Sequence, residues 1–250
     1  MTVRQGEAVV LRTWPVHEAD QIVSLFTRDH GKIKGVAKSA AKSRRRFGGA
    51  LEPMTYVRAH YAEKPSQELV RLDSFEIIHS PLAEPVDYAR AAALAFFSEV
   101  LEQTLPDHDP HDAVFRLVLS VLEQTRVNHI WMPITYFALW TTRLLGWLPD
   151  LGHCMFCGVS LLSQPAFFHL FSDGFVCVQH RQTDERGAAL TPDSQSLAMR
   201  IFRSPASAFA AEPWPRARAA DLRRFAIQSL ERHLERRLRT ATALAKLGGS

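Results

Sequence analysis

Two short pairs of potential metal ligands set the strongest limit on how this chain folds. The first pair is Cys154 and Cys157, the second is Cys177 and His180, and together they use all three cysteines. Two residues between the members of each pair let both side chains turn toward one ion, and two such pairs build a tetrahedral zinc site. The sequence therefore predicts a structural Zn²⁺ bound by Cys154, Cys157, Cys177 and His180. Because four protein ligands leave no position for water or substrate, this metal is not expected to be catalytic.

Two other interpretations of these residues stay open at this point. In one, the three thiols are buried without metal and the histidine is unrelated to them. In the other, His153, which adjoins the first pair, replaces His180 as the fourth ligand. We prefer His180 because its spacing from Cys177 repeats that of the first pair.

The composition is that of a globular protein. Of its 250 residues 46% are hydrophobic, which excludes wholesale disorder. Three cysteines, two of them in one CxxC pair, suit a metal site in a reducing cytosol better than a disulfide framework. The stretch from Met1 to Glu7 lacks the apolar core of a signal peptide, and the apolar run from Trp131 to Leu148 is interrupted by Pro133 and Arg143. We therefore expect a cytoplasmic protein in which that run is a core helix.

Residues 1–80 have the pattern of a small β-barrel. Five short runs are rich in β-branched and apolar residues, at 7–12, 21–26, 32–37, 55–61 and 68–79. Between the second and third runs, Asp29-His30-Gly31 predicts a hairpin turn in which Gly31 has a positive φ. Five strands in so few residues favour a closed barrel, since closure removes exposed sheet edges. An OB-fold is the first interpretation and an SH3-like barrel the second.

After Pro81 the pattern changes to helices. Apolar residues recur at helical spacing in 88–105, 112–124 and 133–145, Thr191-Pro192 predicts an N-cap and the first residue of another helix, and a last long helix is predicted over 221–246. The predicted class is α+β: a five-stranded OB-fold barrel, then an α-helical bundle domain with an inserted zinc-binding element. The predicted boundaries are 1–80 for the barrel, 81–148 and 190–250 for the two parts of the helical domain, and 149–189 for the insert.

Positive charge is concentrated in one part of the predicted barrel. Between Arg28 and Arg46 lie eight basic residues and one acid, Asp29, although the net charge of the whole chain is only +4. The stretch 38–49 mixes these cations with serine, alanine and glycine, which is the composition of a mobile loop that can follow a phosphate backbone. The residues predicted to contact DNA are Lys32, Lys34, Lys38, Lys42, Arg44, Arg45 and Arg46. The alternative is a solvated loop that only promotes solubility.

Two further sets of residues are less specific. Arginines are frequent from Arg216 to Arg239, but glutamates lie among them, so a salt-bridged helix face and a second DNA contact are equally compatible. The candidate base-stacking aromatics of the barrel are Trp14, Phe47, Tyr56 and Tyr61. Tyr56 and Tyr61 fall on opposite faces of one strand, so at least one belongs to the core. Phe47, inside the basic stretch, is expected to be exposed.

No catalytic motif is recognisable in the sequence. It contains no nucleophile elbow, no phosphate-binding loop and no dinucleotide fingerprint. Asp107-His108-Asp109 and His111-Asp112 could form a second metal site, but the flanking prolines favour a solvated loop and a helix cap. We therefore expect that the protein is not an enzyme.

Three stretches resemble the RecO family of bacterial recombination mediators. They are the run from Gly31 to Ala40 that continues at Arg45-Arg-Phe-Gly-Gly-Ala-Leu-Glu-Pro53, the segment from Tyr136 to Gly158, and the closing helix from Leu230 to Arg239. The resemblance covers essentially the whole chain in the right order. Its most specific part is the middle segment, where an apolar helix leads through a glycine and a proline into the CxxCG turn.

This resemblance implies an OB-fold, a helical domain and a zinc element whose fourth ligand is commonly cysteine, where this sequence has His180. It implies a role that is not enzymatic: binding of single- and double-stranded DNA and annealing of complementary strands. With RecR as partner, such a protein also helps RecA to displace single-strand-binding protein. It would be nucleoid-associated within the cytoplasm and would not contact the membrane.

Two rival functions make different predictions. A zinc-stabilised adaptor for protein interactions, without a direct DNA role, would capture partners and bind DNA negligibly. A zinc-dependent nuclease or other hydrolase would need an open coordination position with acidic residues near it, and it would cleave strands when metal is present.

Overall fold

The structure, a computed structural model, describes residues 1–16, 18–64, 67–127, 130–169, 171–181 and 189–247. The chain divides into two compact units: the first is Met1–Leu122 with Thr242–Ala245, and the second is Glu123–Ala241 with the chain from Lys246 onward. The α+β class predicted from the sequence is confirmed. The domain boundaries drawn from the sequence stay a prediction.

The first unit is built on a closed barrel of five strands. They are β1 (Thr2–Pro15), β2 (Gln21–Thr27), β3 (Gly31–Ala37), β4 (Tyr56–Glu63) and β5 (Val70–His79). The strand order is β1-β2-β3-β5-β4, with β4 pairing back onto β1, and only the β3–β5 pair is parallel. This is the OB-fold arrangement expected from the sequence.

Alternation along the strands fills the barrel with apolar side chains. Val10, Val23, Leu25, Ile33 and Val57 face inward and are fully buried, because successive side chains of a strand point to opposite sides of the sheet. In β1 a bulge between Val10 and Arg12 inserts one extra residue, so the alternation shifts by one position from there on. Residues of β1 after the bulge therefore face the opposite side of the sheet from the one that strict alternation would predict.

Helices cover part of the outer surface of this barrel. A single turn, α1 (Arg44–Phe47), lies between β3 and β4, and α2 (Tyr88–Thr104) and α3 (Asp112–Val127) follow β5. The Ser98 hydroxyl on α2 donates to the backbone oxygen of Leu11, and the Ser24 hydroxyl on β2 donates to the Glu102 carboxylate, both at 2.6 Å. The helices thus lie over the middle of β1 and β2.

The second unit packs helices against a small sheet. Its helices are α4 (Trp131–Leu144), α5 (Pro192–Ile201) and α6 (Ala220–His233), and its sheet has the order β7-β6-β8, with β6 at Ala166–Phe168, β7 at Phe175–Val176 and β8 at Ala189–Leu190. The rings of Phe168, Phe175 and Phe225 meet in its core. Thr191 caps α5 as expected, its side chain accepting the N–H of Ser194. Among the described residues no helix combines the length and the apolar character that crossing a membrane requires.

The prediction of one continuous last helix over 221–246 is wrong. α6 ends at His233 and a separate helix, α7, spans Arg239–Lys246. Glu235 has a φ of 53°, a left-handed conformation that interrupts helical hydrogen bonding. The Glu231 carboxylate accepts the N–H of Leu238 at 2.9 Å, and Leu238 itself is fully buried. The break is followed by a buried leucine, and the periodicity of the sequence does not reveal it.

Gly31 confirms the predicted turn and also has a tertiary role. Its φ is 67°, as expected for the hairpin between β2 and β3. A Cβ atom at this position would overlap with the backbone of Asp109, which belongs to the loop between α2 and α3. That loop is held here because the N–H of His108 donates to the backbone oxygen of Lys32 at 2.9 Å.

We expect Gly31→Ala to lower the free energy of unfolding by about 2–4 kcal/mol, since it adds left-handed strain to a steric overlap. Gly49→Ala is the matched control, because Gly49 has a φ of 71° but no atom near its missing Cβ. Urea denaturation of both variants measures the difference. Equal destabilisation by the two substitutions would contradict the role of the close approach to Asp109.

Candidate metal centre and nucleic-acid interface

Two tight turns bring the predicted metal ligands together in the second unit. In the first, the N–H of Gly158 donates to the backbone oxygen of Cys154 at 2.8 Å, and Gly158 has a φ of 70°. In the second, the N–H of His180 donates to the backbone oxygen of Cys177 at 3.0 Å. The N–H of Met155 bonds the oxygen of Phe175 at 2.9 Å and so ties the first turn to β7, which leads into the second.

The four ligand atoms form a compact group, which we call the Cys3His cluster. The sulfurs of Cys154, Cys157 and Cys177 and a ring nitrogen of His180 all lie within 4.8 Å of one another. Nδ1 of His180 is 3.2 Å from the sulfur of Cys177 and 3.7 Å from that of Cys154, and the sulfurs of Cys157 and Cys177 are 3.9 Å apart. Tetrahedral bonds of about 2.3 Å to sulfur place ligand atoms roughly 3.8 Å apart. The cluster therefore fits a metal ion.

The structure brings His180 rather than His153 to the three cysteines. The His153 side chain is exposed, and its Nδ1 lies 2.9 Å from the Asp150 carboxylate instead. In the part of the chain that the structure describes, no second group of potential ligands forms, so the histidines and aspartates around residue 108 do not assemble a metal site.

The surroundings of Cys154 stabilise its thiolate. Burial raises the pKa of this thiol, but the backbone N–H groups of Cys157, Cys177 and Phe156 outweigh that effect, and the pKa falls to about 6. The thiolate is the form of cysteine that binds metal ions. The direction of this shift favours the form of Cys154 that a metal ion would bind.

The basic segment, defined as Lys38–Arg46, is an ordered part of the barrel and not the mobile loop that its composition suggested. It forms a 3-10 helix over Ala40–Lys42 and then enters α1. The N–H of Ser39 donates to the Asp20 carboxylate at 2.7 Å, and the N–H of Ala41 donates to the oxygen of Ala19 at 3.1 Å. These two bonds fasten the segment to the turn between β1 and β2.

Phe47 anchors the other end of this segment, so the prediction that its ring is exposed is wrong. The ring is 2% exposed and meets Phe75 edge to face at 5.4 Å within the barrel core. In the four-residue helix α1, Phe47 is the one buried residue, and it is also the one large apolar residue. Its ring is therefore the side chain of α1 that packs into the barrel core. Tyr61 is also buried, which confirms that one of the two tyrosines of β4 belongs to the core, while Trp14 and Tyr56 are half-buried.

The cations of the basic segment are left facing the solvent. Lys38, Lys42, Arg44 and Arg45 are exposed, and within the described residues no carboxylate pairs with any of them. Arg46 differs, because its guanidinium donates to the backbone oxygen of Lys38 at 2.6 Å and to the Ser43 hydroxyl at 3.0 Å. These four cations lie on an anchored segment of an OB-fold barrel, and among the described residues none of them is in an ion pair, so the segment presents positive charge to solvent.

Comparison with known proteins assigns the whole chain. Residues 1–81 match the family model described as Recombination protein O N terminal, and residues 85–241 match Recombination protein O C terminal. The chain belongs to the RecO family. It is 55% identical to DNA repair protein RecO of Koribacter versatilis over 98% of this chain and 99% of that protein. The RecO of Anaeromyxobacter sp. strain K is 31% identical over 96% and 95%, and that of Bifidobacterium longum strain DJO10A is 32% identical over 76% and 79%. A role in DNA repair follows from this membership.

Two of the lysines predicted to contact DNA lie beside an aspartate in the folded barrel. Lys32 is only 7% exposed, and its ammonium donates to the backbone oxygen of Glu102 at 2.9 Å and pairs with Asp107 at 3.3 Å. Lys34 is 3.8 Å from the same aspartate. Lys32 therefore holds the loop after α2 to the barrel, and we do not expect it to contact DNA directly.

Two of the arginines between Arg216 and Arg239 make contacts within the second unit. Arg223 is buried against the ring of Trp131 and donates to the backbone oxygen of Arg216 at 2.6 Å, and burial lowers its pKa to about 10. Arg232 lies over the ring of Phe168 and pairs with Asp173 at 3.0 Å. These contacts favour the structural interpretation for both arginines over a second DNA contact.

The sequence did not predict the roles of Asp20 and Asp107. Asp20 fastens the basic segment, and Asp107 pairs with the lysines of β3. Asp20 lies immediately before β2, but its hydrogen-bond partner Ser39 is nineteen residues away and cannot be identified from the sequence. Only the folded barrel places these two aspartates beside residues far away in the sequence.

Proposed function

We propose that this RecO-family protein is a non-enzymatic recombination mediator. It binds single- and double-stranded DNA, anneals complementary strands and helps RecA to load onto DNA that single-strand-binding protein covers. RecR is its proposed partner in that step, and the cytoplasmic nucleoid is its proposed place of action. Family membership supports a role in DNA repair, and the exposed cations of the barrel support the binding of DNA.

The observation that carries this proposal is the set of four exposed cations of the basic segment. Lys38, Lys42, Arg44 and Arg45 project from a segment that Phe47 and Asp20 fasten to the barrel. Cations held at fixed positions neutralise phosphates and release condensed counterions, which favours binding without any reading of sequence. Anchoring also lowers the ordering entropy that a free loop would lose when it binds.

Contacts to phosphates also explain how such a protein would anneal strands. Two complementary strands repel each other as polyanions, and cations between them reduce that repulsion. Because phosphate contacts leave the base edges unoccupied, the strands remain able to pair. No bond is made or broken by the protein, so annealing requires no catalytic residue.

We propose Zn²⁺ as the ion of the Cys3His cluster, with a structural role. Three thiolates and one imidazole are a donor set that zinc favours over magnesium or calcium, which prefer oxygen ligands. The four side chains would complete a tetrahedron and would join the turn before β6 to the turn after β7. The ion would hold these turns together, which is a contribution to folding and not to chemistry on DNA.

A second candidate function, a zinc-stabilised adaptor for proteins, is favoured by the surface around the cluster. Several large apolar side chains are exposed on the turns that carry the ligands or next to them: Met155, Phe156, Val159, Leu162, Phe171 and Val178. Exposed apolar groups of this kind are common in protein interfaces. A mediator also has to dock partner proteins, so this surface is compatible with both candidates, and only the affinity for DNA distinguishes them.

The experiment that tests the mediator proposal is the annealing of two complementary labelled oligonucleotides across a salt series, with and without the protein. We expect acceleration at low salt that fades as salt is added, because counterion release weakens with ionic strength. Absence of acceleration at low salt, by protein whose circular dichroism shows that it is folded, would overturn the proposal and favour the adaptor.

A further inference from the structure

One row of side chains crosses the outer surface of the barrel on four strands. Trp14 of β1 lies opposite Ile22 of β2, Ile22 lies opposite Val36 of β3, and Val36 lies opposite Arg71 of β5. The bulge in β1 gives Trp14 this outward position, since it shifts the alternation after Val10. We call these four residues the Trp14 row. Trp14, Ile22 and Val36 are half-buried and Arg71 is exposed, so the row presents apolar surface to solvent.

Helices close the other end of the same face. Ser24 and Lys32 are bonded to Glu102 of α2, and the ring of Phe26 packs on that of Phe115 of α3 at 5.4 Å. In an OB-fold this face of β2 and β3 is where oligonucleotides bind. Among the described residues, α2 and α3 occupy the Phe26 end of this face, and the half-buried Trp14 end is the part that a ligand could contact.

The charges around the Trp14 row suit a polyanion. The guanidinium of Arg12 lies over the Trp14 ring, 5.0 Å from its centroid, and within the described residues it pairs with no carboxylate. Arg71 pairs with Asp73 at 2.8 Å, where both side chains are well exposed. An exposed pair of this kind contributes at most about 1 kcal/mol, so a phosphate can replace the aspartate at small cost.

The row is continuous with the basic segment. Val36 is followed by Ala37, the last residue of β3, and then by Lys38, the first cation of the segment. The hydrogen bonds from Ser39 to Asp20 and from Ala41 to Ala19 hold the segment against the turn between β1 and β2. Trp14 lies near the end of β1 and Ile22 near the start of β2, so both adjoin this turn. Aromatic and apolar surface thus adjoins a set of unpaired cations at one end of the barrel.

We propose that the Trp14 row is a stacking platform for unpaired bases, with Trp14 and the Arg12 guanidinium that lies over its ring as the central contact and Arg71 at the edge. The ligand is single-stranded DNA, whose backbone the basic segment holds while one or two bases lie on the row. This inference rests on the proposed DNA binding and refines it. Combining a cationic path with an aromatic ring is how proteins hold single strands without sequence preference.

The platform has a consequence for strand choice. Bases of a duplex already stack on one another and cannot lie on a protein ring without unpairing, which costs a few kcal/mol. Phosphate contacts, in contrast, are available in both forms of DNA. Trp14 therefore favours single-stranded DNA, whereas the basic segment binds both single- and double-stranded DNA. Because the platform has one aromatic ring, most bases of a bound strand remain free to pair.

The test compares two oligonucleotides of equal length, oligo(dT) and its fully abasic counterpart, which carry the same phosphates. We expect Trp14→Ala in the full-length protein to lower the affinity for oligo(dT) on the order of tenfold and to leave the affinity for the abasic strand and for duplex unchanged. Trp14→Phe should restore most of the loss, because phenylalanine keeps a stacking ring. Tyr88→Ala, at an exposed aromatic of the same unit outside the row, is the control and should change neither affinity.

Two outcomes would overturn the platform. Equal losses on both oligonucleotides would show that Trp14→Ala acts through the fold or the phosphate contacts. Unchanged affinity for oligo(dT), in a protein that Arg44→Glu with Arg45→Glu weakens, would remove the platform and leave the proposed function standing. If the wild-type protein binds neither strand at low salt, the proposed function itself fails, and the platform fails with it.

Discussion

Arg44→Glu combined with Arg45→Glu is expected to weaken the binding of single-stranded DNA by roughly tenfold or more at low salt. The two side chains are exposed, and within the described residues neither has a carboxylate partner. The substitutions therefore break no ion pair of the folded protein. They would remove two of the proposed phosphate contacts and place two negative charges beside the backbone of the DNA, so we expect a larger loss of affinity than for alanine.

The salt dependence is the more specific readout. Each cation that neutralises a phosphate of a single strand contributes about 0.7 to the slope of log K against log salt. Loss of two contacts should therefore flatten the slope by about 1.4, and the curves of variant and wild type should converge as salt rises. Fluorescence anisotropy of a labelled oligonucleotide across a salt series measures both quantities. We leave Arg46 unchanged because its bonds to Lys38 and Ser43 shape the segment.

The matched control is Lys64→Glu with Arg203→Glu, which changes the net charge by the same amount. Lys64 is an exposed residue just after β4, Arg203 is an exposed residue just after α5, and within the described residues neither pairs with a carboxylate. If the control weakens binding as much as the variant of the basic segment, the affinity comes from overall charge and not from a defined surface. If neither variant changes the affinity or the slope, the segment has no part in DNA binding.

Cys154→Ser is expected to destabilise the second unit by several kcal/mol while DNA binding by the folded protein is retained. Cys154 is a buried member of the Cys3His cluster, and serine replaces a thiolate ligand by a poor one. A structural zinc contributes roughly 10–16 kcal/mol in small peptides that have almost no other core. The phenylalanine core of the second unit provides stability of its own, so the loss here should be smaller than in such peptides.

Thermal unfolding with and without a chelator, together with elemental analysis, checks this prediction. The wild-type protein should contain about one zinc per chain, and both chelation and Cys154→Ser should lower its melting temperature. His153→Ala is the control, because that histidine is exposed and paired with Asp150 outside the cluster. A protein that is purified without chelator and contains no zinc would contradict the prediction, and so would a Cys154→Ser variant with unchanged melting temperature.

The barrel and the metal cluster were accessible from the sequence because their signals are local. Ligands two residues apart need only a tight turn, and strand alternation and a glycine with positive φ at Gly31 act over a few residues. The N-cap at Thr191 is another example, since the threonine side chain bonds an N–H three residues later. Each of these predictions depends on the geometry of a short segment and on little else.

The failures have one physical cause in common, which is dependence on residues far away in the chain. Phe47 lies in a basic stretch, yet its burial is decided by Phe75 across the barrel. Periodicity alone continued the last helix past His233, although α6 ends there and Glu235 takes a left-handed conformation. Beyond the break, Leu238 is fully buried and its N–H donates to the Glu231 carboxylate.

The sequence alone therefore determined the family, the α+β class, the strands and the composition of the metal cluster, since these follow from local spacing and from whole-chain similarity. Only the tertiary structure decided which cations are free. Lys32 and Lys34 meet Asp107, while the four exposed cations of the basic segment meet no acid within the described residues. Charge composition is a property of the chain, but the pairing of charges is a property of the fold, because it depends on distances that only folding sets.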